Sequence, residues 1–231
     1  MKRFWKNASI TRAEQGFGVQ LDARPLRTPA RALLIVPRET LAQAIAAEWN
    51  AVGEDVDPRL LPLTGLANAA IDRMTPELAN YHAALARYGD SDVVAYRADH
   101  PDALVARQAA QWDPVVDWAA EQYGARLTIL QGIMHQPQPA AALARLEQRV
   151  ARCDAFETAA LHQLVTLTGS LLLGLMLVEG AITPEAAWAA GQLDELWQEE
   201  QWGADALATA ARAEKRAAFD AAWHYLTLLR G

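Results

Sequence analysis

A chain of 231 residues, 52% hydrophobic and 21% charged, is long enough to bury one sizeable core or two modest ones and too apolar to remain disordered. A net charge of −7 argues against general nucleic-acid binding, because neutralising phosphates takes a cationic surface. The single cysteine, Cys153, excludes an internal disulfide and any thiolate metal cluster, and fits a reducing compartment.

The charge is uneven. Residues 1–38 hold eight basic and two acidic side chains, leaving thirteen basic and twenty-six acidic for the rest, so the two parts carry +6 and −13. The basic part lacks the dense Lys/Arg run of a nucleic-acid arm, and the acidic remainder suits a basic partner face. The opening Met1-Lys2-Arg3-Phe4-Trp5-Lys6-Asn7 turns polar before an apolar signal core can form. The longest apolar stretch, 164–178, is interrupted by Thr166, Thr168, Gly169, Ser170 and Gly174 and falls short of the ~20 residues a bilayer span needs. It reads as a buried helix, and no membrane insertion is expected.

In chain order, residues 3–36 show short apolar alternations (Phe17, Val19 and Leu21; Leu33 and Ile35) split by turn residues at Glu14-Gln15-Gly16 and Asp22-Ala23-Arg24-Pro25, which predicts a small antiparallel meander. After Pro37 the period changes: Leu41, Ile45 and Trp49 recur every four residues, one face of a helix that Gly53 and Pro58 stop. Residues 63–71 and 76–88 read as further helices, the second capped by Thr75 with Pro76 at its first position. Residues 92–97 look like a short strand. Residues 104–123 look helical with a break at Asp113-Pro114, and 127–134 again look like a strand. Beyond Pro139 all is helix: 140–152, a long helix opened by Asp154 with Glu157 as its capping-box partner, one opened by Thr183-Pro184, and a last one over about 204–229. The expected fold is α+β, a small N-terminal antiparallel sheet followed by a larger, mainly helical part. By pattern it divides into a β-rich part (1–37), a mixed helical part with short strands (38–136) and an all-helical part (137–231).

Motifs for chemistry are sparse. Gly16-Phe17-Gly18 lies in a hairpin with no third glycine or following helix, so nothing marks a nucleotide site, and no cofactor is expected. The five histidines lack zinc spacing and read as structural. His162, Thr166 and Ser170 share a helical face but lack a nucleophile elbow. The best enzymatic clue is Asp90, Asp92, Asp99, His100 and Asp102 around the 92–97 strand, a set that would suit a metal-dependent hydrolase. Against that reading, Asp is also the ordinary residue of caps and turns.

The most unusual stretch lies between Glu185 and Asp205, which holds six acids and no base beside Trp188, Trp197 and Trp202. On a helical wheel Leu193, Leu196 and Trp197 form the apolar stripe. Glu200 falls within it, and Trp188 falls among Glu195 and Glu199 on the polar face. An acid on the apolar face near a helix C-terminus requires a cation, internal (Arg212) or from a partner. Asp194, Glu195, Glu199, Glu200, Trp188, Trp197 and Trp202 are therefore the candidate partner-binding residues.

Several blocks together resemble one family. Arg3-Phe4-Trp5-Lys6-Asn7-Ala8-Ser9-Ile10, Leu21-Asp22-Ala23-Arg24-Pro25-Leu26-Arg27-Thr28-Pro29, Glu48-Trp49, Asp90-Ser91-Asp92-Val93-Val94-Ala95-Tyr96-Arg97, Trp112-Asp113-Pro114, Asp117-Trp118-Ala119, Tyr123-Gly124 and the 193–203 stretch are similar to the assembly chaperone of the F-type ATP synthase alpha subunit. The resemblance spans essentially the whole chain. It implies a protein that binds unassembled alpha subunit and prevents its aggregation before pairing with beta, with no enzyme activity, and a β-rich part ahead of a helical one. It also implies that the acidic stretch around Glu195 and Glu200 matters for activity, although Leu196 and Glu199 depart from the family's pattern. Mitochondrial members carry a transit peptide ahead of the Arg-Phe-aromatic block, whereas here Met1 almost touches it, so a bacterial, cytoplasmic member is expected.

Overall fold

The predicted alternation produces the predicted sheet. In the computed structural model, which describes residues 2–132 and 134–231, β1 (Ala8–Ala13) and β2 (Gly16–Leu21) form an antiparallel hairpin with Ala8 opposite Leu21. Both β3 (Arg24–Pro25) and β4 (Ile35–Val36) add to β2, making it the central strand. Gly16, at φ 140°, is required there: an added Cβ would lie 2.3 Å from the Val36 carbonyl oxygen. Asp22 turns the chain toward β3, and its carboxylate accepts the Lys6 and Asn7 backbone N–H groups at 3.1 and 3.0 Å. Those donors, Asn7 foremost, hold its pKa below the usual carboxylate range.

The inner face of the sheet, with Val19, Leu21, Leu34 and Val36, is buried together with Leu41 and Ile45 of α1 (Glu39–Ala51). Trp5 lies edge-on to Trp49 at 5.1 Å and donates to its carbonyl oxygen. Glu48 accepts the Leu63 and Thr64 N–H groups at 2.7 and 2.9 Å, capping α2 (Pro62–Ala69), whose own N-cap, Leu61, has no side chain to do so. Burial raises the Glu48 pKa, and the bonds from Thr64 and Leu63 oppose that shift.

Helix does not restart at Thr75-Pro76 as predicted. It runs from α2 through a π turn (Ala70–Met74) and a 3-10 turn (Thr75–Glu77) into α3 (Leu78–Arg87). The wider turn absorbs the donor that Pro76 lacks, and the Thr75 hydroxyl bonds back to the Ala70 carbonyl at 2.8 Å instead of capping.

Residues 92–97 are mostly not strand: a 3-10 turn (Val93–Ala95) leads into β5 (Tyr96–Arg97). Of the predicted 127–134 strand only β6 (Leu130–Gln131) forms, parallel to β5, and Ile133 lies outside the described residues. Between them, α4 (Asp102–Tyr123) passes through Pro114 without the expected break. Packing overrides the proline. Trp112 is buried and donates to the Ala190 carbonyl at 2.9 Å, and Asp113 pairs with Arg97 at 2.8 Å rather than capping a new helix.

Beyond Pro139 the described residues contain no strand, as predicted. After α5 (Ala140–Val150), the capping box forms, Asp154 accepting from Phe156 and Glu157 while Glu157 accepts from Asp154. The expected long helix is two: α6 (Ala155–Thr168) and α7 (Leu171–Glu179). Gly169 at φ 70° ends the first, and Ser170 caps the second by accepting from Leu173 N. Then come α8 (Pro184–Gly191), α9 (Leu193–Trp202) and α10 (Ala206–Arg230).

The pattern-based division follows secondary-structure content, whereas compactness groups the chain into two units. One comprises Met1–Leu78, Asp154–Ala160 and Asp220–Gly231, the other Ala79–Cys153 and Leu161–Phe219. Within the first, the C-terminal turn of α10 is tied down by Arg38 and Thr40, which donate to the Leu229 and Leu228 carbonyls. Within the second, α7 is the hub, with Leu171 to Val178 all buried.

Candidate partner-binding site

All seven candidate residues fall in the second unit, but on two helices. The chain leaves helical geometry at Gln192 (φ −109°, ψ 12°), so the wheel drawn through Trp188 and Glu199 does not exist. Trp188 is 8% exposed, 5.3 Å from the Phe219 ring and beneath the Arg216 guanidinium. It is a core residue behind the site and no part of its surface.

The other six sit on α9. Leu193 buries its first turn, and α9 is gripped from two sides. On one, Gln108 of α4 donates to Asp194 at 2.8 Å, while Arg107 holds Glu200 through two bonds of 2.6 and 3.0 Å and lies over the Trp197 ring. On the other, Glu199 pairs with Arg212 of α10 and accepts from the Thr209 hydroxyl, and Lys215 lies 3.5 Å from Glu195. The stretch that lacks a basic residue in sequence thus has three in space. Glu200 meets its cation, but Arg107 rather than Arg212. The pair is exposed, with 52% of the Glu200 side chain in solvent. The bond from Arg107 holds the Glu200 pKa below the usual range.

Trp202 ends α9 79% exposed, and residues 201–211 are solvent-exposed throughout. An indole in water thus stands at the end of an acid-rich helix whose charges are oriented by Arg107 and Arg212. Arg107, Gln108 and Thr209 were invisible to sequence reasoning, because no local pattern marks an ion pair across ninety-three positions.

The hydrolase reading does not survive. Asp92 is fully buried and accepts the N–H groups of Val94 and, from α7, Leu172, Asp90 accepts from Gln138 N, Asp99 pairs with His100 at 2.5 Å, and Asp102 is the first residue of α4. Of these only Asp92 caps a turn, Asp90 and Asp99 bond to different neighbours, and among the described residues no group of three His, Cys, Asp or Glu side chains is placed to hold a metal. Nor do His162 and Ser170 pair, since the break after Thr168 takes Ser170 off the helix and His162 packs against Tyr81. Among the described residues no helix is long and apolar enough to cross a membrane.

Residues 2–120 match the model of a family described as ATP12 chaperone protein. The crystal structure of Atp12 from Paracoccus denitrificans is 45% identical, covers 99% of this chain and 98% of its own, and superposes with a TM-score of 0.94. The Atu1473 protein of Agrobacterium tumefaciens is 41% identical over 99% of this chain and 86% of its own, at 0.95. The mitochondrial protein atp12 of Schizosaccharomyces pombe is 28% identical across 87% of this chain and 74% of its own length.

Proposed function

The chain belongs to the ATP12 chaperone protein family, and we propose that it serves assembly of the F-type ATP synthase by binding the unassembled alpha subunit and keeping it from aggregating until it pairs with beta. It is a chaperone and not an enzyme.

The observation that carries the alpha-subunit reading is α9, on which an exposed Trp202 stands beside Asp194, Glu195, Glu199 and Glu200. An orphan subunit exposes the surface meant for its neighbour, and such apolar surface aggregates unless covered. The cover must come off again, so it should be moderate in size and partly polar rather than a permanent apolar seal. Acids with one wet indole meet that requirement and favour a basic partner face. The chain works in the compartment where alpha is made, the cytoplasm of a bacterium.

The test is capture from native extract. Tagged chain should recover alpha subunit in excess over beta, and recovery should fall when Glu195 is replaced by Lys. Recovery of beta alone, or of neither, would contradict the reading.

A further inference from the structure

Beside α9 lies a cleft of about 630 Å³, within the size range of specific binding sites. Tyr96, Leu104, Trp197 and Trp202 line it together with Gln198 and Gln201. Two carboxylates face it, Asp99 and Asp194. The cations nearby are mostly committed elsewhere. Arg97, buried, donates from Nε to the Val94 carbonyl and pairs through Nη1 with Asp113, its Nη2 being left without a hydrogen-bond partner, and Arg107 is held by Glu200. Among the described residues Asp194 has an amide partner, Gln108, but no ion pair, and Asp99 meets only the His100 imidazole while remaining 66% exposed.

We infer that this cleft receives a short segment of the alpha subunit in which a bulky apolar side chain stands next to a lysine or arginine. The inference rests on the proposed function and adds to it the recognised chemistry. Three rings and a leucine reward burial of an apolar side chain. A purely apolar occupant would strip water from Asp194 with nothing to replace it, and an anionic one would face two carboxylates. A cation beside the apolar group answers both, since it completes the charge the cleft leaves open and can lie across the Trp202 face. The glutamine amides can both donate and accept, so they suit the backbone of an incoming segment without dictating its sequence.

The experiment titrates purified alpha subunit against the full chain carrying Trp202→Ala, Asp99→Lys or, as a control, Leu60→Ala. Leu60 is a 72% exposed leucine in the other unit. Trp202→Ala and Asp99→Lys should each weaken binding about tenfold, as truncating an interfacial anchor does, with unchanged melts, and Leu60→Ala should bind like the parent. Wild-type affinity in both cleft variants would overturn the cleft while leaving the proposed function standing, and an equal loss with Leu60→Ala would reduce it to general stickiness. Failure of the parent itself to bind alpha would overturn both.

Discussion

Asp92 is fully buried, yet its carboxylate is satisfied by the N–H groups of Val94 and Leu172 at 3.3 and 3.0 Å and by the Ser170 hydroxyl. Burial nevertheless pushes its pKa up to about 6, with those bonds pulling the other way. A folded pKa above the unfolded 3.8 means that the native state holds its proton longer. The group's contribution is therefore fully present below pH 4 and is lost as pH rises through 6, a change on the order of 3 kcal/mol. Asp92→Asn should remove that slope: in melts from pH 4 to 7 the variant should close on the wild type as pH rises, and parallel curves would mean that Asp92 ionises freely. A second residue-scale contrast concerns the tryptophans. Trp188, packed on Phe219, should cost about 3 to 5 kcal/mol when cut to Ala, whereas Trp202→Ala should leave the thermal midpoint where it was.

At the scale of elements, α9 is held by ion pairs that lie at the surface, so reversing one should disturb the fold little. Glu200→Lys sets a lysine against Arg107, and Glu195→Lys one against Lys215. Both should melt close to the wild type while capturing less alpha subunit. A much lower melt for Glu200→Lys would make the Arg107 pair structural and move the interface elsewhere. The elements legible in sequence were those decided within a few residues: the β1–β2 alternation, the Leu41, Ile45 and Trp49 stripe, the Asp154–Glu157 box and the Thr183 cap. What misled was proline and glycine taken alone. Pro76 was absorbed by a π turn and Pro114 by the packing of Trp112, while Gly169 split a helix that its apolar run predicted to be continuous. Of the candidate set, the grouping of the acids and Trp202 on one helix could be read, but the burial of Trp188 could not, because a wheel assumes one helix where Gln192 makes two. The identity of Glu200's cation depends on how α4 meets α9, which no local window contains.

Over the whole molecule the acid excess is concentrated in one place. The unit of Ala79–Cys153 and Leu161–Phe219 holds sixteen acidic and ten basic residues, against twelve and eleven in the other. A partner with a basic, partly apolar face is therefore attracted to the unit that carries α9, and the attraction should weaken with salt. Raising ionic strength should slow alpha-subunit capture more than it speeds release, which stopped-flow mixing can resolve. The most direct measurement is light scattering of isolated alpha subunit warmed alone, with the chain at equimolar ratio, and with the chain carrying Glu195→Lys and Trp202→Ala together. The account predicts that the chain suppresses aggregation of alpha but not of isolated beta, and that the double variant, though equally well folded, does not. Undiminished aggregation of alpha in the presence of the chain, or equal protection of beta, would contradict it.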